Sequence, residues 1–186
     1  TNDEEEGEKE FTKCHHKASG PPLRPILFRK SPDESMRAEL YAQKLIDALR
    51  YIMGEFPGLS LHDRVGIIVP DAAFIAPEGS FMKALEQGTS NVDGTRFGFT
   101  DAAQANRLLS SSASSDTAAQ TQMLVLDTVD NFNGLERLIV IAVGLDEVIG
   151  EETSRTRSRL YRAITRAQMM VVVVNEVLKG GWLEFL

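Results

Sequence analysis

Short apolar runs alternate in this chain with longer segments in which apolar residues recur every three or four positions. The run Val65–Val69 (VGIIV) is apolar throughout, which is typical of a strand buried on both faces of a parallel sheet. From residue 31 to about residue 53 the spacing predicts a helix, with Ser31 as its cap and Pro32 in its first turn. The buried face of this helix is predicted to comprise Ala38, Ala42, Leu45, Leu49 and Ile52.

The rest of the chain continues this alternation. Further strands are predicted at residues 23–29, 96–100, 123–126, 138–143 and 169–174, and further helices at residues 71–87, 101–109 and 157–167. Pro77 and Gly79 are expected to break or bend the helix at 71–87. Because apolar strands alternate with helices, we predict a three-layer α/β domain with a mostly parallel sheet. The pattern does not give the order of the strands.

The composition of the 186-residue chain favours one globular domain, since 42% of its residues are hydrophobic and 25% are charged. No apolar run approaches the ~20 residues that cross a bilayer, so no membrane contact is expected. A single cysteine cannot form an internal disulfide, which favours an intracellular location, cytoplasmic or nuclear. The net charge of −7 means that any binding to nucleic acid needs a local basic patch.

Two segments have compositions unlike the rest. Residues 1–20 are charged and poor in apolar residues, so they are predicted to form a flexible acidic tail or linker ahead of a domain spanning residues 21–186. Residues 110–121 (SSSASSDTAAQT) are predicted to form a mobile polar loop. The tail contains Cys14, His15 and His16, but three adjacent residues make a poor tetrahedral cage, and no metal site is predicted.

Several common motifs are absent from the sequence. It contains no GxxxxGK[ST] loop, which argues against an ATPase that is complete in this chain, and no GxGxxG turn for a dinucleotide. It also lacks the GxSxG turn of many hydrolases, and His62 beside Asp63 is interpreted as a pair in a surface loop.

Arginines in the segment 159–168 (RLYRAITRAQ) recur at helical spacing. Arg155, Arg159, Arg162 and Arg166 are four, three and four residues apart, so on a helix they share one stripe. A second stripe, formed by Leu160, Ala163, Ile164 and Ala167, is expected to pack on the sheet. Guanidinium groups held in this way suit phosphate oxygens. The alternative is a solvated charged face that is balanced by nearby glutamates.

The segment 126–136 (LDTVDNFNGLE) lies between two predicted strands. A glycine such as Gly134 allows the backbone to approach a ligand closely or to adopt a positive φ. The alternative interpretation is an ordinary turn rich in aspartate and asparagine.

In order, spacing and strand context, these two segments resemble motifs V and VI of superfamily 1 helicases, over roughly residues 123–175. The resemblance, which covers enzymes of the UvrD/Rep type and of the nonsense-mediated-decay type, implies the second RecA-like domain (domain 2A) of such an enzyme, with a P-loop NTPase-type fold. It implies Arg166 as the catalytic arginine finger, Gly134, Glu136, Arg159 and Arg162 as nucleotide-binding residues, and Thr128 and Asn133 as nucleic-acid contacts. The sequence departs from the family's pattern at Asn133, Arg162 and Gln168.

The same resemblance implies cofactors and partners. In these enzymes ATP and Mg²⁺ lie between two RecA-like domains, and the Walker A lysine and the metal-binding acids belong to the first domain. The expected partners are therefore that first domain of the same parent protein and single-stranded DNA or RNA, and this chain alone is not expected to hydrolyse ATP. The alternative function is a degenerate RecA-like domain that acts as a protein-interaction scaffold.

Overall fold

The computed structural model describes residues 23–108, 121–146 and 153–185. The predicted tail at residues 1–20 lies outside these ranges, and so does the predicted loop at residues 110–121 except for its last residue.

One six-stranded sheet forms the centre of the described structure, with the strand order β1-β6-β5-β2-β4-β3 and every neighbouring pair parallel. The strands are β1 (Arg24–Phe28), β2 (Val65–Val69), β3 (Phe97–Thr100), β4 (Gln122–Thr128), β5 (Arg137–Val143) and β6 (Ala167–Glu176). The helices are α1 (Glu34–Glu55), α2 (Ser80–Thr89), α3 (Ala102–Leu108) and α4 (Thr153–Ile164), followed by a 3₁₀ turn at Trp182–Phe185. None of the described helices combines the length and the apolar character needed to cross a membrane.

Two hydrophobic cores lie on opposite faces of this sheet. The first joins the buried sides of α1 and α2 to one face of the strands, and the second joins α3, α4 and the 3₁₀ turn to the other face. The predicted three-layer α/β fold is therefore confirmed, and its architecture is consistent with the RecA-like class. Every described strand pair is parallel, which agrees with the prediction of a mostly parallel sheet.

The central strand β2 contributes to both cores, because all five of its residues are buried. Val65, Ile67 and Val69 face the α1–α2 layer, whereas Ile68 faces the opposite layer. Gly66 faces the second core as well, and a Cβ built on it would lie 2.9 Å from the ring of Phe132. A glycine is therefore needed here because an aromatic ring packs against the backbone of β2.

The structure corrects the predicted start of α1. Asp33, not Ser31, is the N-cap, and its carboxylate accepts a hydrogen bond from the Met36 amide at 3.1 Å. Pro32 therefore precedes the cap instead of lying in the first turn. Of the five residues predicted to be buried on this helix, four are fully buried and Ala38 is partly buried.

Other predicted boundaries shift by a few residues, and one shifts by nine. Helix α2 begins at Ser80 and not at Asp71, because Pro77 and Gly79 separate a short turn from the helix. In that turn the Asp71 carboxylate accepts a hydrogen bond from the Phe74 amide at 3.0 Å. Helix α4 ends at Ile164, three residues earlier than predicted, and Ala167 belongs to β6.

Candidate functional site

The two motif-like segments meet at the amino ends of β5 and β6. These strands are parallel neighbours, with Arg137 paired in register with Ala167. The Arg137 amide donates a hydrogen bond to the Arg166 carbonyl at 3.0 Å, so the residue after Glu136 is joined directly to the residue before β6. Folding therefore places Glu136 and Arg166 at one corner of the sheet, which we call the α4 corner.

Buried apolar side chains hold this corner in place. Phe132, on the segment 129–134 between β4 and β5, is 1% exposed and packs in the same core as Leu160 and Ala163 of α4. Ile164 and Ala167 pack against that core and are partly buried. The predicted apolar face of α4 is thus confirmed for Leu160, Ala163 and Ile164, whereas Ala167 was wrongly assigned to the helix and belongs to β6.

The guanidinium of Arg162 binds the segment 129–134. Its Nη1 donates to Asp130 Oδ1 at 2.9 Å, and its Nη2 donates to Asn133 Oδ1 at 2.9 Å and to the Val129 carbonyl at 3.3 Å. Two of the positions at which the sequence departs from the family's pattern, Arg162 and Asn133, are therefore bonded to each other.

Arg166 lies in the turn between α4 and β6, where its side chain is partly buried. Its Nε donates to the Arg162 carbonyl at 3.3 Å. Within the described part of the chain, no hydrogen-bond acceptor is assigned to its two terminal Nη groups. Arg159 is also partly buried on α4, whereas the side chain of Arg155 lies outside what the structure describes.

Glu136 and Gly134 lie just before β5. The Glu136 carboxylate is exposed and accepts a hydrogen bond from Gln168 Nε2 at 3.2 Å. Gly134 has φ +81° and open space around the position that a Cβ would occupy. Its need for glycine is therefore conformational and does not come from a close neighbour.

Thr128 is 8% exposed, and its groups are bound within the protein. Its amide donates to Asp127 Oδ1 at 2.7 Å, and its hydroxyl accepts from the Asn131 amide at 3.3 Å. The structure places Thr128 at the carboxyl end of β4, and Asn133 lies on the exposed side of the segment that follows.

Two buried charges, one at each edge of the sheet, were not predicted from the sequence. Asp127 is 6% exposed and also accepts from the Ala102 amide at 3.0 Å, so it ties α3 to the end of β4. Arg137 is 6% exposed, donates to the Glu136 carbonyl at 2.8 Å and pairs with Asp63 at 3.1 Å. A charged residue at the end of an apolar run was the only signal in the sequence, and such a residue is more often exposed.

A second cluster lies at the opposite, carboxyl edge of the sheet. Glu176 is fully buried and forms an ion pair with Arg37, and its amide donates to the hydroxyl of Tyr41 at 3.4 Å. Burial, and then the negative charge of Glu176, raise the pKa of Tyr41 to about 12.

A crevice of about 510 Å³ opens beside this cluster. Several of its charged groups already have partners: Arg37 binds Glu176, Asp71 binds an amide in its own turn, and Asp146 accepts from the amides of the 3₁₀ turn. This lining does not select one class of ligand, so the α4 corner remains the candidate site.

The α4 corner fits an anionic ligand better than a metal ion. The corner contains the partly buried guanidinium of Arg166 and the unobstructed backbone at Gly134, both of which suit an anion. Among the described residues, no group of three or more histidine, cysteine or acidic residues could hold a metal ion. No family model matches this chain, and no curated protein matches it significantly.

Proposed function

We propose that this domain is the second motor domain of a superfamily 1 helicase-like ATPase. The observation that carries the proposal is the contact between the two motif-like segments, in which the Arg137 amide binds the Arg166 carbonyl and Gln168 binds Glu136. Because β5 and β6 are parallel neighbours, the segments that precede them meet at one edge of the sheet, as motifs V and VI would have to do in such an enzyme. The three-layer fold supports the same proposal.

In this proposal Arg166 acts as the arginine finger. Its Nη groups would bind the γ-phosphate and stabilise the negative charge that develops there during phosphoryl transfer. Glu136 would accept hydrogen bonds from ribose hydroxyls, and Gly134 would let the backbone approach the nucleotide. Arg159 stays a predicted nucleotide-binding residue, whereas the guanidinium of Arg162, also predicted to bind nucleotide, is occupied by the segment 129–134. ATP with Mg²⁺ supplies the transferable phosphoryl group, and the Walker A and metal-binding residues would come from the first RecA-like domain of the parent protein.

The nucleic-acid contact is proposed for Thr128 and Asn133. Both lie after the carboxyl end of β4 or close to it, next to the exposed part of the segment 129–134. Since the whole chain carries a charge of −7, this contact would depend on a local arrangement of amides and arginines.

The test is the substitution Arg166→Ala in the full-length parent protein. Loss of an arginine finger lowers turnover by about 10³-fold or more. The melting temperature should stay within a few degrees, because the side chain is only partly buried. Arg50→Ala is the matched control, since Arg50 is an exposed arginine on α1 and lies on the other face of the sheet. Normal ATP turnover by Arg166→Ala would overturn the proposal, and a collapsed melting curve would make Arg166 structural.

One observation favours the alternative function, a scaffold for other proteins. Arg162 and Asn133, both predicted to bind a ligand, bind each other within the chain, which is what a domain that no longer binds ligands would show. Adding the ATPase domain of the parent should stimulate hydrolysis if the domain is a motor half, and should have no effect if it is a scaffold.

A further inference from the structure

The guanidinium of Arg162 makes all three of its described hydrogen bonds to one short segment. Asp130, Asn133 and the Val129 carbonyl accept them at 2.9 to 3.3 Å, and all three acceptors belong to the segment 129–134. The planar guanidinium suits this task because its fork of donors reaches several acceptors in one plane. A lysine at this position has three donors but no planar fork, so it would fit these acceptors less well.

The rest of the corner explains why such a contact matters. The segment 129–134 is anchored from below by the buried ring of Phe132, but Asp130, Asn131, Asn133 and Gly134 are exposed. The ring fixes the middle of the segment, the buried Val129 fixes its start, and Asn131 is bonded to Asp127, which leaves the side chains of Asp130 and Asn133 to other contacts. Arg162 binds both of these side chains.

We infer that Arg162 is a positioning residue that clamps the segment 129–134 to α4, instead of a residue that binds phosphate. The clamp ends at Asn133, beside Gly134 and three residues before Glu136, and it starts from the helix that leads into Arg166. It therefore fixes Gly134 and Glu136 relative to Arg166. That functional consequence rests on the proposed function, whereas the clamp itself does not.

Amide hydrogen exchange on the 186-residue chain without nucleotide tests the clamp directly. Arg162→Met keeps the apolar stem and removes the donors, so amide exchange in residues 129–134 should become about two- to fivefold faster, the range expected for a partly exposed ion pair. Raising the salt concentration should accelerate exchange in the wild-type protein towards the variant's rate and should change the variant much less. A purely apolar packing role for Arg162 would not produce that dependence on salt.

Three further variants test whether the Arg162 contact itself causes the change in exchange. Asp130→Asn removes one acceptor and should accelerate exchange on its own, but it should add little when Arg162 is already methionine, because the two residues belong to one contact. Arg162→Lys should be intermediate. Arg50→Met is the matched control, an exposed helical arginine that is ion-paired with Asp47, and it should leave residues 129–134 unchanged.

The clamp is overturned if Arg162→Met and Asp130→Asn exchange like the wild type in residues 129–134, or if their effects simply add. ATP turnover by the full-length parent separates this result from the proposed function. As a positioning residue, Arg162→Met should raise KM for ATP more than it lowers kcat. A loss of kcat as large as that of Arg166→Ala would instead indicate that Arg162 binds the phosphate directly. Lack of any effect of Arg166→Ala would end the motor proposal and leave the exchange result intact.

Discussion

The fully buried carboxylate of Glu176 lies at the carboxyl edge of the sheet and contacts both Arg37 and Tyr41. Glu176 has no exposed surface, and within the described chain one of its oxygens, Oε2, has no hydrogen-bond partner. Its other oxygen binds Arg37, and its charge lies beside the phenol of Tyr41. A charge in this setting depends on its neighbours, because an unpaired buried ion is strongly destabilising.

Tyr41 offers a measurable consequence of this arrangement. Its pKa is about 12 in the folded protein against an ordinary value of 10.0, so between these values the folded state holds a proton that the unfolded state loses. The free energy of unfolding should therefore fall as the pH rises from about 10 towards 12, by at most about 1.4 kcal/mol per pH unit. Tyr41→Phe should remove this component, as measured by urea unfolding at several pH values. Tyr51→Phe, on the same helix, is the control and should keep the slope.

The close packing around Gly66 in β2 leads to a second prediction at the scale of single residues. A methyl group at residue 66 would meet the Phe132 ring at 2.9 Å and Cγ of Arg137 at 3.2 Å, both of which are packed in place. Gly66→Ala should therefore lower the free energy of unfolding by about 1–3 kcal/mol in denaturant titrations. Gly54→Ala is the matched control, since Gly54 lies in α1 with no atom within 4 Å of the added methyl. It should raise stability by up to about 1 kcal/mol, and equal effects of the two substitutions would contradict the packing argument.

At the scale of elements, the start of α1 shows which of several neighbouring residues caps the helix. Three neighbouring residues suit a helix start: Ser31, Pro32 and Asp33. The carboxylate of Asp33 accepts the hydrogen bond from the Met36 amide and so caps the helix. Asp33→Ala should therefore destabilise the protein by about 0.5–2 kcal/mol. Ser31→Ala should cost less, because the Ser31 hydroxyl only accepts a 3.3 Å bond from the Asp33 amide. Thermal melts of the two variants compare the candidates, and a larger loss for Ser31→Ala would move the cap back to the predicted position.

The strands were predictable from the sequence because their apolar runs are continuous, and their observed bounds differ from the predicted ones by a few residues. The start of α2 was not predictable, since Asp71 caps a turn that resembles the beginning of a helix until Pro77 and Gly79 interrupt it. At the α4 corner, spacing predicted the apolar face of the helix. The bonds of Arg162 to Asp130 and Asn133 depend on how a turn folds back on a helix, which spacing does not contain.

At the scale of the whole molecule, the net charge determines how strongly the chain is expected to bind nucleic acid. At a net charge of −7 the chain repels nucleic acid overall, and attraction has to come from local groups such as the arginines near the α4 corner. The purified chain should therefore bind single-stranded DNA or RNA weakly, with an affinity that falls steeply as salt is added. Fluorescence titrations across ionic strengths measure this, with ATP hydrolysis by the same sample expected to be undetectable. Tight binding that is insensitive to salt, or robust Mg²⁺-dependent hydrolysis, would contradict both expectations.

The strand order also governs how this chain can fold while it is being synthesised. Within the described sheet β1 pairs only with β6, so the first described strand to be synthesised finds its partner in the last described one. Contacts between such distant parts of a chain are the slowest to form. The four strands β2 to β5 can assemble before β6 is synthesised. During that time β1 stays unpaired, and its edges can pair with other chains. A nascent chain halted before Ala167 would thus carry an unpaired β1 and an open edge on β5, both exposed to pairing with other chains until β6 was made.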